Sequence, residues 1–292
     1  MIPLREALRL PWRGQFPHPT LVMGIVNATP DSFQAEGRCP DARAAIDHGL
    51  RLIDEGADLL DIGGESTRPG ADTVSVEEEI RRVTPVVEAL AGSGAPISID
   101  TRKAAVAQAA IEVGAVIVND VSGGVFDPGI LAAAASANAF LCLMHSPLDV
   151  GAMGWSTARN PTYANVVSEV RAFLLDRAKA AEAAGVARDR IWIDPGFGFG
   201  KSVDENLDLL RRLHAFVDTG YPVLVGTSRK STLGKVLDDA APEDRVIATL
   251  ATVALAVAQG AAVVRVHDVA AAVEVARVSD AILTERLPNK EQ

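Results

Sequence analysis

The stretch IWIDPGFGFGK, residues 191–201, begins as a short apolar run and ends abruptly in acidic, glycine-rich and basic residues. Seven further runs of the same design occur along the 292-residue chain, beginning at Val22, Leu59, Ile97, Val116, Leu141, Val223 and Val263. Alanine-, leucine- and glutamate-rich stretches with helical spacing separate successive runs. Eight strand-then-helix units predict an α/β fold, a single (β/α)8 TIM barrel with its active site at the C-terminal ends of the strands.

Length and composition favour one domain. A barrel of this kind takes roughly 250 residues, and 48% of this chain is hydrophobic, which is enough for a large core. We predict a proline-containing lead-in over residues 1–20, the barrel over residues 21–286 and a short tail over residues 287–292. No serine- and glycine-rich linker or low-complexity tract divides the sequence.

Charge and hydropathy exclude several classes of function. The formal net charge is −10, which disfavours a nucleic-acid-binding surface. The longest apolar stretch, from Val246 to Val264, is interrupted by polar residues and a glycine, so we expect no membrane span. No signal-peptide pattern opens the sequence, and its two cysteines, Cys39 and Cys142, suit a reduced protein, so we expect a cytoplasmic location.

Local signals place several helix ends. Ser75 followed by Glu78 is a capping-box pattern that predicts a helix from Val76. Asp41 is a candidate N-cap for the helix after the first strand. A Gly-Ala pair ends a helix just before a strand at three places, Gly56, Gly114 and Gly260.

Two connections are long for such a barrel, where about 2–6 residues is usual. One covers residues 28–40 and the other residues 145–161, and both lie on the predicted catalytic face. They are either functional loops or variable surface loops. His145, at the start of the second, is a candidate base by its position, although a structural histidine is the commoner case.

The last run, VVRVHD, places Arg265 and His267 two residues apart, so both side chains leave the same face of a strand. At the mouth of a barrel this pair suits a phosphate or pyrophosphate, because a guanidinium binds phosphate oxygens in a bidentate manner. The alternative is a structural arginine paired with an acid, with His267 capping the next helix.

Ser228, Arg229 and Lys230 directly follow the seventh run. Two cations beside a core are costly without an anionic partner, which favours an anion-binding loop over a surface salt bridge. Gly226, just before them, allows close approach of the backbone to a ligand.

Carboxylates and an amide end four of the runs, at Asp61, Asp100, Asn119 and Asp194. Converging on one cavity, they can bind a 2-amino group beside a ring N–H, as in pterins and guanine. The alternative is a divalent-metal cluster, since hard cations prefer carboxylate oxygens. In the GFGFG loop, Phe197 and Phe199 could line a flat pocket, or one of them could enter the core.

Further candidates lie at the ends of the first two runs and in the loops that follow. Asn27 can ligate a metal ion through its amide oxygen, and Arg68 offers another contact to an anion. Thr67 and Pro69 flank Arg68 in the same loop. Asp31 is either a loop N-cap or a reactive group.

Seven motifs together resemble the dihydropteroate synthase family of pterin-binding barrels. In chain order they are MGIVNATPDSF, DIGGESTRPGA, SIDT, VNDVSGG, DPGFGFGK, VGTSRKS and RVHD. Each motif alone is weak, whereas seven in register over most of the chain are specific. The chain departs from the family pattern after His145, where Ser146 and Pro147 follow, and after Phe33, where QAEG lacks a serine and a glycine.

The resemblance implies condensation of 6-hydroxymethyl-7,8-dihydropterin pyrophosphate with 4-aminobenzoate, which gives 7,8-dihydropteroate and pyrophosphate in folate biosynthesis. It also implies Mg²⁺ as cofactor, only small molecules as substrates, a family that is a sulfonamide target, and a homodimer joined through C-terminal helices. Val253, Leu255 and Val257 are compatible with such an interface. Two alternatives stay open, a corrinoid-dependent methyltransferase acting on methyltetrahydrofolate and a non-enzymatic pterin-binding protein.

By matching positions, the resemblance also implies roles for individual residues. The pterin would contact Asp100, Asn119, Met144, Asp194, Phe199, Gly226, Lys230 and Arg265. Pyrophosphate would contact Asn27, Arg68, Arg265 and His267, and the metal ion would bind Asn27. 4-Aminobenzoate would contact Phe33, Thr67, Pro69 and Ser228. The catalytic chemistry would fall to Asp100, Lys230, Arg265 and His267.

Overall fold

The protein is described here from a computed structural model, over residues 4–8, 10, 19–28, 40–66, 73–147 and 163–283. Some predicted features lie outside these described residues, namely the tail over residues 287–292 and Asp31, Phe33, Cys39, Thr67, Arg68 and Pro69. The roles given to them above stay predictions.

Eight parallel strands form the barrel that the sequence predicts. They are β1 (Leu21–Asn27), β2 (Leu59–Gly63), β3 (Ile97–Asp100), β4 (Ile117–Asp120), β5 (Phe140–Met144), β6 (Ile191–Asp194), β7 (Leu224–Val225) and β8 (Val263–Val266). Hydrogen bonds connect them in the order β6-β5-β4-β3-β2-β1-β8-β7. A parallel bridge between Ile193 and Val223 joins β6 to the residue before β7 and closes the sheet.

Helices surround the strands. Those in the described ranges are α1 (Leu4–Ala7), α2 (Pro40–Asp54), α3 (Val76–Ala91), α4 (Ala104–Glu112), α5 (Gly129–Ser136), α6 (Val166–Ala183), α7 (Val203–Arg211), α8 (His214–Val217), α9 (Ser231–Val236), α10 (Val246–Ala258) and α11 (Val269–Leu283). Short 3-10 turns precede β6 and α10, at Arg188–Arg190 and Pro242–Arg245. None of the described helices is long and apolar enough to cross a membrane.

Alternation along the strands separates the barrel interior from the side that faces the helices. The lower interior is an apolar cluster of Leu21, Met23, Leu59, Ile117, Phe140, Cys142, Trp192, Leu224 and Val263. Two positions later, four of these strands carry a polar residue that also points inward, at Asp61, Asn119, Asp194 and Arg265. The interior therefore changes from apolar to charged toward the C-terminal strand ends, where barrels of this kind have their active sites.

Most of the predicted helix ends are confirmed. Ser75 caps α3, because its hydroxyl accepts a hydrogen bond from the Glu78 N–H at 3.2 Å. The three glycines before β2, β4 and β8 all have a positive φ, 102° at Gly56, 118° at Gly114 and 92° at Gly260. The predicted N-cap at Asp41 is wrong, because α2 already begins at Pro40, whose fixed φ suits the first helical position.

Candidate active site

Arg265 lies at the centre of the charged end of the barrel. Its Nε donates to Asp61 Oδ2 at 2.6 Å and its Nη2 donates to Asp100 Oδ2 at 2.7 Å. Burial lowers the pKa of Arg265, yet the carboxylates of Asp61 and Asp100 raise it above its ordinary value, so the side chain stays charged. Arg265 is therefore paired with acids, as one of the two interpretations of the sequence predicts. Its side chain is 21% exposed, which leaves it open to the cavity.

Asp61 holds two of the predicted pterin residues in place. Besides Arg265, its Oδ2 accepts a hydrogen bond from Asn119 Nδ2 at 3.0 Å. Asp61 is fully buried in the middle of β2, below Asp100 at the mouth. Burial raises the pKa of Asp100, and Arg265 opposes that rise. Asp61 thus supports Arg265 and Asn119 from beneath, a role that strand-end position alone does not indicate.

Asp194 and Lys230 form the opposite side of the mouth. Asp194 Oδ1 accepts a hydrogen bond from the Gly196 N–H at 2.7 Å. Lys230 Nζ donates to the Phe197 carbonyl and lies 4.4 Å from the centre of the Phe199 ring. Burial lowers the pKa of Lys230 to about 8, although the Asp194 carboxylate acts against this. The two charges therefore face one pocket across the GFGFG loop.

Apolar residues line the same pocket. Phe199 packs against Met144 and Val121, as the predicted pterin wall requires, whereas Phe197 is 3% exposed and belongs to the main core. Gly226 lies beside Arg265 and Lys230. A Cβ there would lie 3.8 Å from Arg265 Cβ and 4.0 Å from Lys230 Nζ, so glycine keeps the space between the two cations clear.

His267 is oriented by Ser228. The Ser228 hydroxyl lies 2.8 Å from His267 Nδ1 and accepts a hydrogen bond from the His267 backbone N–H at 3.1 Å. Arg265 lies in β8 and His267 directly follows this strand, so the predicted pair leaves the chain on one face. Ser228 is predicted to contact 4-aminobenzoate. It also positions His267, the residue that is predicted to contact pyrophosphate.

Arg229 forms an ion pair with Asp268, which directly follows His267 in the chain. Its Nε donates to Asp268 Oδ2 at 2.9 Å and its Nη2 to Asp268 Oδ1 at 2.5 Å. Arg229 has a positive φ of 56°, and its backbone N–H donates to Thr249 Oγ1 at 2.9 Å. This bidentate pair joins the loop after β7 to the end of β8 and fixes the neighbours of Ser228 and His267. The sequence showed the two cations but not the acid.

A second ion cluster lies behind the ends of β2 and β3. Lys103 Nζ is 2.5 Å from Glu65 Oε2 and 2.5 Å from Glu79 Oε2, and it donates to the Val74 carbonyl at 2.6 Å. Thr101 Oγ1 donates to Glu79 Oε1 at 2.7 Å. Burial raises the pKa of Glu79, and Lys103 opposes that rise. One ammonium thus binds the residues on both sides of the stretch that carries Thr67, Arg68 and Pro69.

His145 is not placed as a base. Its ring meets Phe173 edge-on at 4.9 Å and lies 6.0 Å from the Tyr163 ring. Burial, followed by the charge of Lys201, lowers its pKa to about 3, so the ring is neutral across the physiological range. The structural reading of His145 is therefore the better one.

The residues predicted as possible metal ligands are the carboxylates at the strand ends and Asn27. In the residues that the structure describes, no group of three or more histidine, cysteine, aspartate or glutamate side chains could hold a metal ion. Asp61 and Asp100 are paired with Arg265 instead, which counts against the carboxylate metal cluster. Asn27 ends β1 with an exposed side chain opposite Gly63 of β2. A magnesium ion bound there would need most of its ligands from water and substrate.

Comparison with known proteins supports the whole barrel. The family model described as pterin binding enzyme matches residues 23–267. Dihydropteroate synthase of Synechocystis sp. is 44% identical over 265 residues, which cover 90% of this chain and 90% of that protein.

Solved structures give the same result. Xanthomonas albilineans dihydropteroate synthase with 4-aminobenzoic acid has a TM-score of 0.85 at 48% identity, over 91% of this chain and 94% of that one. The complex of the Xanthomonas albilineans enzyme with 7,8-dihydropteroate has a TM-score of 0.81 at 44% identity, over 91% and 95% of the two chains. With this family model, this identity and this fold, the chain belongs to the dihydropteroate synthase family of pterin binding enzymes.

Proposed function

We propose that the charged mouth of the barrel condenses 6-hydroxymethyl-7,8-dihydropterin pyrophosphate with 4-aminobenzoate to give 7,8-dihydropteroate and pyrophosphate. The observation that carries this proposal is the position of Arg265, between the acidic floor of Asp61 and Asp100 and the pair of His267 with Ser228. One half of the site suits an amino-pyrimidine ring and the other half suits a leaving phosphate group. Membership of a synthase family also removes the corrinoid-dependent methyltransferase and the non-enzymatic reading.

The pterin half binds the ring through its amino-pyrimidine edge. The Asp194 carboxylate accepts from the 2-amino group and the adjacent ring N–H, while Asn119 and Lys230 contact other polar ring atoms. Met144 and Phe199 cover the ring face, as their packing allows. Carboxylate acceptors suit this edge because each charge-assisted bond is stronger than a neutral one.

The reaction then needs leaving-group stabilisation and no covalent nucleophile. The bond between the C6-methylene carbon and the pyrophosphate oxygen breaks, and the electron pair leaves with pyrophosphate. The amino nitrogen of 4-aminobenzoate forms the new C–N bond and loses one proton to water. Arg265 and His267 bind the oxygens whose charge grows, while the Asp100 carboxylate faces the cationic pterin.

Magnesium fits only as an ion shared with the substrate. Asn27 would offer one amide oxygen, and pyrophosphate oxygens and water would supply the remaining ligands, a common arrangement for this ion. Bound there, Mg²⁺ would neutralise charge on the leaving group. Arg68 is the further cation proposed for the same phosphate oxygens.

4-Aminobenzoate is proposed to bind over the pterin at the rim, with contacts to Phe33, Thr67, Pro69 and Ser228. Of these, Ser228 lies in the described part, 6% exposed and bonded to His267. A sulfonamide drug has the same aniline group and an acidic sulfonamide N–H in place of the carboxyl group, so it is expected to compete with 4-aminobenzoate. The free thiol of Cys142 accords with the proposed cytoplasmic location.

A homodimer is proposed through α10 and α11. Five large apolar side chains on the described parts of these helices are exposed, Ile247 at 81%, Leu255 at 55%, Val278 at 61%, Ile282 at 77% and Leu283 at 50%. Several exposed apolar side chains on neighbouring helices suit a subunit interface. Of the three residues predicted for the interface, Leu255 is exposed, whereas Val253 and Val257 pack into the barrel core. Light scattering of the wild type and of Leu255→Glu tests this proposal, with a dimer expected to give way to a monomer.

The activity is tested by incubating the purified chain with both substrates and Mg²⁺. We expect 7,8-dihydropteroate by mass spectrometry and an equal amount of pyrophosphate. Omitting 4-aminobenzoate or adding a chelator should stop both signals, and Asn27→Ala should raise the Mg²⁺ concentration required. Equal pyrophosphate release without 4-aminobenzoate would show a hydrolase and would overturn the proposal.

A further inference from the structure

Lys201, at the end of the GFGFGK motif, is a fully buried cation with only carbonyl partners among the hydrogen bonds of the described residues. Its Nζ donates to the Gly196 carbonyl at 2.8 Å, the Phe199 carbonyl at 3.0 Å and the His145 carbonyl at 3.3 Å. These carbonyls come from the end of β5 and from the loop after β6. The ammonium therefore ties together two neighbouring walls of the pterin half.

Gly196 connects Lys201 to Asp194. The Gly196 N–H binds Asp194 Oδ1 at 2.7 Å while its carbonyl binds Lys201 Nζ, so both ends of this residue are held. Gly196 has a φ of 70°, and a Cβ there would lie 2.0 Å from the His145 carbonyl oxygen. Only glycine lets the two loops approach closely enough for one ammonium to reach both.

Phe199 connects Lys201 to the second cation of the site. Lys201 holds the Phe199 carbonyl, and the Phe199 ring lies 4.4 Å from Lys230 Nζ. Lys230 in turn donates to the Phe197 carbonyl. The loop from Gly196 to Phe199 is thus fixed between one ammonium below it and another inside the pocket.

We propose that Lys201 is a positioning residue for the pterin half: it shapes the loop after β6, which hydrogen-bonds to Asp194 and Lys230, and its charge supports the ionised Asp194. This rests on the proposed binding of the pterin by Asp194. Lys201 does not contact the substrate. It acts through the Gly196 N–H, the Phe199 ring and the electrostatic potential at the Asp194 carboxylate.

The charges around Asp194 agree with that role. Burial raises the pKa of Asp194, and the groups that lower it are Lys230, the Gly196 N–H, Lys201 and Arg265. The Cys142 thiol on β5 also faces it, and burial followed by the Asp194 charge raises the pKa of this thiol, so it stays neutral. Removing the charge of Lys201 leaves Asp194 easier to protonate, and a protonated Asp194 loses one acceptor for the pterin edge.

The pKa of Lys201 limits the pH range in which its charge acts. Burial lowers this pKa to about 7, with Asp194 and Glu205 opposing the fall and Lys230 adding to it. Below about pH 7 the ammonium is charged and supports Asp194. Above that pH the neutral amine has two N–H groups and keeps at most two of the three hydrogen bonds, so a charge effect should appear on the acid side alone.

Two substitutions separate the charge from the hydrogen bonds. Lys201→Gln keeps a donor for the carbonyls and loses the charge, whereas Lys201→Met loses both. The affinity for 6-hydroxymethylpterin, which lacks pyrophosphate, is measured by calorimetry between pH 4.5 and 8. We expect the acid-side loss of affinity to move to higher pH by about 1 unit in both variants. Lys201→Met should also bind about tenfold more weakly at every pH, like a site that has lost one hydrogen bond.

Controls separate this inference from the proposed function. Lys235→Met removes the exposed ion pair between Lys235 of α9 and Asp239. This variant should leave the pterin affinity unchanged. Failure of the wild type to bind 6-hydroxymethylpterin would overturn the proposed function itself. If Lys201→Gln binds 6-hydroxymethylpterin with the affinity and the pH profile of the wild type, the proposed role of the charge is wrong. An unchanged affinity in Lys201→Met would overturn the positioning role.

Discussion

Two buried lysines lie behind the mouth of the barrel, and they are held in opposite ways. Lys103, behind β2 and β3, meets the carboxylates of Glu65 and Glu79 and one carbonyl. Lys201, behind β5 and β6, meets three carbonyls and, in the part of the chain that the structure describes, no carboxylate. Lys103 connects the two ends of one loop, and Lys201 connects two neighbouring loops. Among the described contacts, only those of Lys103 include carboxylates that neutralise the charge.

This difference separates a structural ion cluster from an electrostatic support of the site. Breaking a buried ion pair leaves an uncompensated charge, which is strongly destabilising. Removing a cation that is bound only by carbonyls leaves neutral groups and ends a desolvation cost. We therefore expect Lys103 to matter most for stability and Lys201 to matter most for pterin binding.

The largest expected effect is that of Lys103→Met. It leaves Glu79 buried without its cation, so the free energy of unfolding should fall by about 3–5 kcal/mol. Urea unfolding of wild type and variant measures this, with Arg43→Met, an exposed pair with Asp47, as a control expected to change it by less than about 1 kcal/mol. Adding Glu79→Gln to Lys103→Met should recover part of the loss. A loss equal to that of the control would contradict the ion-cluster account.

The next effect is that of Asp194→Asn, which removes the carboxylate that the charge of Lys201 is proposed to support. The variant loses a charge-assisted pair of contacts to the pterin edge, so pterin binding should weaken by about 1.5–3 kcal/mol for each such bond. Calorimetric titration with 6-hydroxymethylpterin measures this, and inorganic pyrophosphate serves as the control ligand, with an affinity that should hardly change. An unchanged pterin affinity would remove Asp194 from the pterin half.

Lys201→Met should cost less stability than Lys103→Met, about 1–3 kcal/mol, because it leaves neutral carbonyls unpaired. The cost should also depend on pH. The pKa of Lys201 is about 7 in the folded state and near 10.5 when unfolded, so the unfolded chain binds more protons between these values. The wild type therefore gains stability from this group as pH rises through that window. Urea unfolding at pH 7 and pH 9.5 should show a larger difference at the higher pH; a smaller one would contradict the lowered pKa.

The sequence predicted the fold and the inward polar residues well because both depend on local periodicity. Asp61 follows Leu59 and Arg265 follows Val263 at strand spacing, so their shared side could be read directly. Both buried lysines were missed because each has a partner that is distant in the chain, although Gly196 and Phe199 lie within five residues of Lys201. Glu65 lies 38 residues before Lys103, and His145 lies 56 residues before Lys201. Such contacts are set by neighbouring loops of the closed barrel and leave no pattern in the sequence.

The central claim is that Arg265 and His267 act on the departing pyrophosphate, and His267→Ala tests it most directly. Contacts that strengthen as charge grows in the transition state affect the rate more than binding. At saturating substrates we predict a fall in kcat on the order of 10²-fold, with unchanged affinity for 6-hydroxymethylpterin. Normal turnover together with weak binding of that pterin would instead show that His267 shapes the pocket, and would contradict the account.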